Sequence, residues 1–166
     1  MAAQHRHEDR DDLAGEHPFG DMGQLILLIV FLIVWVFDSF ILRISVFLAR
    51  DVSLLIRIPL GLAFIGAAAY FAREGMRRVF GEVREEPSVI TAGVFGRVRH
   101  PIYLGCILFY IGLVVFTLSI ISSVVCAIII VFYHYISRYE ERILLDRFGE
   151  EYERYIKSVP MWIPRI

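Results

Sequence analysis

The sequence predicts an all-α integral membrane protein, a bundle of about four transmembrane helices followed by a helical C-terminal tail. Of its 166 residues, 57% are hydrophobic, against roughly 45–50% in soluble domains, and they lie in long runs. Two cysteines are too few for a disulfide scaffold, and a net charge of −1 gives no general basis for nucleic-acid binding. The composition therefore excludes disordered chains, disulfide-rich domains and nucleic-acid-binding proteins.

Residues 1–22 are a polar, acidic N-terminal tail with three histidines. Tails of this kind are usually solvated, and no pair of cysteines has zinc-binding spacing, so we predict no metal site. Residues 23–166 form the predicted membrane domain. It comprises a polar connection over 73–100, a cytoplasmic tail over 138–166, and four helices over 24–49, 52–72, 101–116 and 119–137.

The four helices follow from the length of the apolar runs. A bilayer core of about 30 Å requires roughly 20 helical residues, which the first two runs provide. One helix over 101–135 would be about 52 Å long, too long for a single crossing. We therefore predict a hairpin of two short helices that turns near residues 117–119.

Basic residues predict the orientation. Six arginines lie in the connection 73–100 and six basic residues in the tail 138–166, whereas the first turn has Arg43, Arg50 and Arg57. This bias predicts that the connection, both termini and any active site between them face the cytoplasm.

The first polar cluster is Arg99-His100-Pro101-Ile102-Tyr103-Leu104-Gly105. Pro101 suits the first position of a helix, and Arg99 with the free N–H groups behind it forms an end that attracts anions. Gly105 lacks a side chain, so either a ligand or a neighbouring helix can approach it. For any one of these residues taken singly, the alternative is a purely structural role: a basic residue that ends the polar connection, followed by the ordinary start of a helix.

The second cluster is the pair Glu140 and Glu141, flanked by Arg138 and Arg142. Adjacent carboxylates where a helix leaves the lipid are costly to bury unless they face a cation or hydrogen-bond donors. The alternative is that they pair with the flanking arginines or with solvent. An antiparallel hairpin returns this pair to the membrane surface that carries His100. Residues about 40 positions apart in the sequence can therefore lie at one site.

Together the two clusters resemble the isoprenylcysteine carboxyl methyltransferase and phospholipid methyltransferase superfamily of membrane enzymes, over residues 91–164. The ending Phe148-Gly149-Glu150-Glu151-Tyr152, followed by Val159-Pro160, is similar to the isoprenylcysteine branch, although Ser158 stands where relatives often have a basic residue. The resemblance implies S-adenosylmethionine as cofactor, Arg99 and Glu141 as catalytic residues, and a cofactor-binding set of His100, Pro101, Tyr103, Gly105, Glu140 and Glu141.

The function that this resemblance implies is methyl transfer to a lipophilic acceptor at the membrane, by direct in-line carboxyl O-methylation of an isoprenylcysteine-like substrate. One alternative is N-methylation of an aminophospholipid headgroup, for which Glu140 or Glu141 would remove the amine proton. Another alternative is a small non-enzymatic membrane scaffold whose acidic tail is a docking arm.

Overall fold

The computed structural model describes residues 20–81 and 88–163. The predicted N-terminal tail lies almost wholly outside them, as do parts of the connection and of the C-terminal tail. The described residues contain helices and no strand, which confirms the all-α class. The helices are α1 (Gly20–Val36, continued by a π-helical turn, Phe37–Leu42), α2 (Leu54–Phe80), α3 (Pro101–Thr117), α4 (Ile120–Phe148) and α5 (Glu150–Ser158).

Helices α1 to α4 form a bundle in which α2 packs on α3, and α4 packs on both α3 and α1. Three segments are long and apolar enough to cross a membrane: Met22–Leu42, Leu54–Phe80 and Ile120–Phe148. Since consecutive helices run in opposite directions, α2 and α4 end where α3 begins. We call this end the site end. The opposite end, which holds the turns over 43–53 and 118–119, is the turn end.

The first helix ends earlier than the predicted 24–49. Asp38 and Ser39 lie in the π-helical turn, and Arg43 adopts a left-handed conformation with φ 55° that ends it. The Asp38 carboxylate then accepts hydrogen bonds from the backbone N–H and the hydroxyl of Ser45. Because an aspartate side chain can replace helical hydrogen bonds in this way, the chain turns within an apolar run.

Two helices extend beyond their predicted ends at 72 and 137. Helix α2 continues to Phe80, and α4 continues through the start of the predicted tail to Phe148. Arginine and glutamate favour the helix about as well as leucine does, so the change to polar residues marks the exit from lipid rather than the helix end. As a result Glu140 and Glu141 lie on the last turns of a membrane helix.

The hairpin turn between α3 and α4 lies where the sequence predicts it. Leu118 is left-handed, with φ 49°, and the Ser119 hydroxyl caps α4 by accepting a hydrogen bond of 2.9 Å from the Ser122 N–H. Helices α2 and α3 pack closely because small residues face each other. A Cβ on Gly112 would lie 3.1 Å from the Gly61 carbonyl oxygen.

Candidate active site

At the site end, His100 lies between the two glutamates of α4. Its Nε2 is 3.3 Å from Glu141 Oε1, and its Nδ1 is 3.6 Å from Glu140 Oε2. His100 is the residue immediately before α3, so the start of one helix and the end of the next supply the three side chains. The hairpin thereby brings together groups that are about 40 residues apart in the sequence.

Arg99 ties this cluster to the C-terminal segment. Its Nε donates to Glu141 Oε1 at 2.7 Å, and its Nη1 donates to the carbonyl oxygens of Val159 at 2.5 Å and Ile156 at 3.1 Å. The Arg99 backbone N–H donates to the Pro160 carbonyl oxygen at 3.0 Å. A cation at the C-terminal end of α5 is favourable, and here it also carries the charge that a buried carboxylate requires. In this geometry Arg99 holds Glu141 and α5 in place.

Tyr103 completes the wall that faces the glutamates. Its hydroxyl donates a hydrogen bond to Glu140 Oε1. Its ring is parallel to that of His100, with ring centroids 5.8 Å apart. The stacked pair restricts the orientation of the imidazole, and the hydroxyl restricts that of Glu140.

Pro101 and Gly105 lie on a different face of α3, against α2. A Cβ on Gly105 would come within 2.9 Å of the Ala68 carbonyl oxygen and 3.0 Å of the Ala72 nitrogen. Pro101 is buried and lies near Gly75 of α2. The missing side chain of Gly105 is therefore explained by its packing against α2.

Trp162 is a neighbour of the site that sequence reasoning missed. Its ring centroid is 5.9 Å from that of His100. The Val159-Pro160 pattern contributes to the family resemblance and so draws attention to the segment around Trp162. No spacing rule, however, connects Trp162 with a histidine 62 positions earlier in the sequence.

A packed cluster of tyrosines holds the segment before His100 against α5. Tyr152, Tyr155 and Val159 are buried together, and the Tyr155 hydroxyl donates to the Phe95 carbonyl oxygen at 2.7 Å. This packing fixes the position from which Arg99 and His100 reach α4.

The protonation state of His100 decides which group the two carboxylates face. Burial lowers the pKa of His100 and outweighs the opposing hydrogen bond with Glu141, so the imidazole is neutral at pH 7. Arg99 then supplies a buried positive charge to Glu141. Arg138 lies 3.6 Å from Glu141 Oε2, but its side chain is 61% exposed and screened by water.

A neutral imidazole has a single N–H, yet both of its nitrogens face carboxylate oxygens. The cluster therefore favours an additional cation or hydrogen-bond donor. Glu140, at 13% side-chain exposure, is more accessible than Glu141 at 4%. A ligand that bears a sulfonium, an ammonium and hydroxyl groups fits this set of acceptors.

Comparisons with known proteins agree with the motifs. A family model described as phospholipid methyltransferase matches residues 56–151, more than half of the chain. The chain is 27% identical over 132 residues to the protein-S-isoprenylcysteine O-methyltransferase of Schizosaccharomyces pombe, which covers 78% of this chain and 56% of that protein. It is 32% identical over 114 residues to the enzyme of the same name from Mus musculus, covering 68% and 40%.

A third relative, the protein-S-isoprenylcysteine O-methyltransferase of Homo sapiens, is 32% identical over 118 residues, which is 70% of this chain and 42% of that protein. The matched region thus spans about half, or less, of the length of these relatives. No solved structure matches the chain.

Proposed function

Because this chain belongs to the phospholipid methyltransferase family, we propose that it transfers a methyl group from S-adenosylmethionine to a lipophilic acceptor at the membrane surface. We further propose that the acceptor is the carboxylate of an isoprenylcysteine-like substrate, as the names of its relatives suggest. The observation that carries the proposal is the placement of His100 between Glu140 and Glu141, where two membrane helices meet.

Glu140, Tyr103 and His100 are the residues that would hold the cofactor, since they form the more accessible wall of the carboxylate cluster. Glu141 and Arg99 lie behind them, and in this proposal they are positioning residues that set the orientation of the imidazole. Pro101 and Gly105 contribute by fixing α3 against α2. When bound, S-adenosylmethionine supplies an electrophilic methyl group on a positively charged sulfur.

The chain's own contribution is alignment and exclusion of water. A carboxylate that attacks a sulfonium converts two opposite charges into neutral products, a change that a dry cavity favours. Holding both reactants in line lowers the barrier further. An ionised carboxylate has no proton to lose, so O-methylation requires no general base from this site.

The proposed site faces the cytoplasm. The basic residues that adjoin it, in the connection 73–100 and after Ser137, support this orientation. The acceptor would then enter sideways from the inner leaflet, while the cofactor enters from the cytosol.

N-methylation of an aminophospholipid headgroup is a second candidate, favoured by the description of the family model. An amine must lose a proton before it attacks, and Glu140 is the accessible carboxylate for that role. The rate with an amine acceptor should rise steeply as pH passes the amine's ionisation. The rate with a carboxylate acceptor should be flat near neutrality.

The decisive experiment incubates the purified full chain in lipid nanodiscs with radiolabelled S-adenosylmethionine and one acceptor at a time: a prenylcysteine, a fatty acid or an aminophospholipid. We expect base-labile label, the mark of a methyl ester, in the prenylcysteine arm. Label in the aminophospholipid arm alone would replace the first candidate with the second. Absence of S-adenosylmethionine binding by calorimetry would overturn both and favour the scaffold alternative.

The residues are tested by the same calorimetry. Substituting His100→Ala, Glu140→Gln or Glu141→Gln should weaken S-adenosylmethionine binding about tenfold or more, since a hydrogen bond to a charged group is worth about 1.5–3 kcal/mol. Arg142→Gln is the matched control, because this exposed arginine lies next to Glu141 on the same helix. Equal binding by all four variants would overturn the assignment of the site.

A further inference from the structure

A cleft of about 730 Å³ lies at the turn end of the bundle. It is lined by the last turn of the α1 segment, the chain over 43–50, the start of α2 and the end of α3. Its volume falls within the roughly 300–1,000 Å³ of small-molecule sites. The site at His100 lies at the opposite end of the same helices, so the methyl-transfer proposal does not account for this cleft.

Three arginines line the cleft: Arg43, Arg50 and Arg57. The side chains of Arg43 and Arg50 are exposed and form no hydrogen bond or ion pair with any residue that the structure describes. Arg57 is buried and donates to two carbonyl oxygens, those of Phe116 at 2.7 Å and Val52 at 3.0 Å. Its charge is therefore stabilised by dipoles and not neutralised by a carboxylate.

The acidic residues near this end do not neutralise the positive charge of the arginines that line the cleft. The Asp38 carboxylate is directed to the hydroxyls of Ser45 and Ser119, each at 2.5 Å. Neither Asp38 nor Asp51 lines the cleft or forms a salt bridge with one of its arginines. The cleft therefore presents a positive surface that suits an anion.

Ser39 gives an independent indication of a ligand. It lines the cleft and is only 7% exposed, and its hydroxyl has no hydrogen-bond partner within the described residues. A buried hydroxyl without a partner is costly, and buried polar groups in native proteins are nearly always satisfied. An acceptor atom of a bound molecule would satisfy it.

Apart from Thr117, the rest of the lining is apolar and includes Phe40, Phe47 and Leu54, all of them exposed. A ligand that matches both parts has an anionic group and a hydrocarbon chain in one molecule. We propose that this cleft binds a membrane phospholipid with an anionic headgroup. Its phosphate lies against Arg43 and Arg50 and accepts a hydrogen bond from Ser39, and an acyl chain follows the aromatic lining.

The test measures binding of three probes to the purified full chain in detergent micelles by native mass spectrometry. Phosphatidylglycerol has the charge and the chains, phosphatidylcholine has the same chains with a zwitterionic headgroup, and glycerol 3-phosphate has the anion without chains. We expect phosphatidylglycerol to bind at least about fivefold more tightly than phosphatidylcholine, because its net negative charge adds about one ionic contact with an arginine. Equal binding of the two lipids, or of glycerol 3-phosphate and phosphatidylglycerol, would overturn the proposal.

Two variants remove the recognition groups without straining the fold. Arg43→Gly deletes the charge at a position whose left-handed backbone glycine adopts freely. Ser39→Ala deletes a hydroxyl that has no described partner, so the lipid-free protein should not lose stability. We expect phosphatidylglycerol binding to weaken about fivefold in Arg43→Gly and about threefold in Ser39→Ala.

Arg73→Gln is the matched control, since it deletes an exposed arginine of α2 outside the cleft. Wild-type affinity in both cleft variants, or an equal loss in Arg73→Gln, would overturn the proposal. Binding of S-adenosylmethionine should be unchanged in the two cleft variants, because the cleft and His100 lie at opposite ends.

Discussion

The two ends of the bundle each bury a carboxylate, and they stabilise it in different ways. At the site end, Glu141 accepts hydrogen bonds from Arg99 and His100, one charged and one titratable. At the turn end, Asp38 accepts from the backbone N–H of Ser45 at 3.1 Å and from the hydroxyls of Ser45 and Ser119 at 2.5 Å. One carboxylate is neutralised by a cation, and the other is solvated by dipoles.

The difference separates the proposed ligand site from a structural connection. The partners of Glu141 are the two residues immediately before α3, and Arg99 among them binds carbonyl oxygens at the end of α5. Glu140 is the more accessible carboxylate of this cluster. The hydroxyl partners of Asp38 connect the turn after α1 to the turn between α3 and α4, and they do not titrate. Burial of a carboxylate is therefore associated with the proposed ligand site at one end and with a fixed backbone turn at the other.

The largest expected effect is that of Arg99→Ala, which removes the cation beside a buried carboxylate. Breaking a buried ion pair in this way costs about 3–5 kcal/mol. The measurement is unfolding of the purified protein in mixed micelles. Arg138→Ala, the control at the exposed arginine on the other side of Glu141, should change stability by less than about 1 kcal/mol. Similar losses of unfolding free energy in the two variants would show that the buried pair Arg99–Glu141 stabilises the protein no more than the exposed Arg138 does.

At the turn end, Asp38→Ala should cost about 2–3 kcal/mol, because several hydrogen bonds to one charged group are lost. Binding of S-adenosylmethionine by the folded protein should stay at the wild-type level, since Asp38 lies at the other end of the helices. Unfolding and calorimetry on the same sample measure both quantities, and Asp51→Ala in the exposed turn is the control. A loss of cofactor binding without a loss of stability would contradict the separation of the two ends.

The close packing of α2 on α3 holds the site end and the turn end in one rigid bundle. Gly105→Ala tests how tight this packing is. The added Cβ would lie 2.9 Å from the Ala68 carbonyl oxygen, so overpacking should cost about 1–3 kcal/mol. Gly66→Ala is the matched control on α2, where nothing lies within 4 Å, and it should be neutral or gain up to about 1 kcal/mol. If Gly105→Ala is as stable as the wild type but fails to bind S-adenosylmethionine, Gly105 faces the ligand and not α2.

The smallest effect concerns pH and the site end alone. Burial lowers the pKa of His100 from its ordinary value of 6.5, with Arg99 and His134 acting in the same direction and Glu141 opposing. Below about pH 6.5 the unfolded chain then binds a proton that the folded chain does not, so stability falls as pH falls, by at most about 1.4 kcal/mol per unit. Above this value both states are neutral at this residue and the term vanishes.

Unfolding at pH 7.5 and pH 5.5 measures this dependence, and His100→Gln is the comparison, since it keeps a hydrogen-bond donor without a titrating ring. The wild type should lose more stability on acidification than the variant. An equal loss in both proteins would show that the folded state protonates His100 as readily as the unfolded chain does.

Much of the fold follows from the order of residues along the chain. The length of the apolar run after Pro101 requires a hairpin, and the antiparallel direction of its arms returns Glu140 and Glu141 to the end that holds His100. Tyr103 lies within one turn of His100, so its place on the same wall also follows from local geometry.

Other features depend on contacts between distant segments. The α1 segment ends at Leu42 because Asp38 finds partners in Ser45 and Ser119, and Ser119 is 81 positions away. Gly105 faces α2 because of the rotation of α3 in the bundle, which its own periodicity does not specify. Arg99 binds the carbonyl oxygens that end α5, and no sequence rule connects these groups.

The sequence by itself determined that the chain has four apolar helical segments, their antiparallel order and the end at which the polar groups gather, because these depend on hydropathy and chain length. Three of the four helices are long and apolar enough to cross a membrane, and α3 is shorter. The tertiary structure decided which side chains meet there: Arg99 with Glu141, His100 between two carboxylates, and Ser39 beside a cleft lined by arginines. Hydropathy acts along the chain, whereas hydrogen bonds and ion pairs depend on a few ångströms and on the rotation of each helix about its axis.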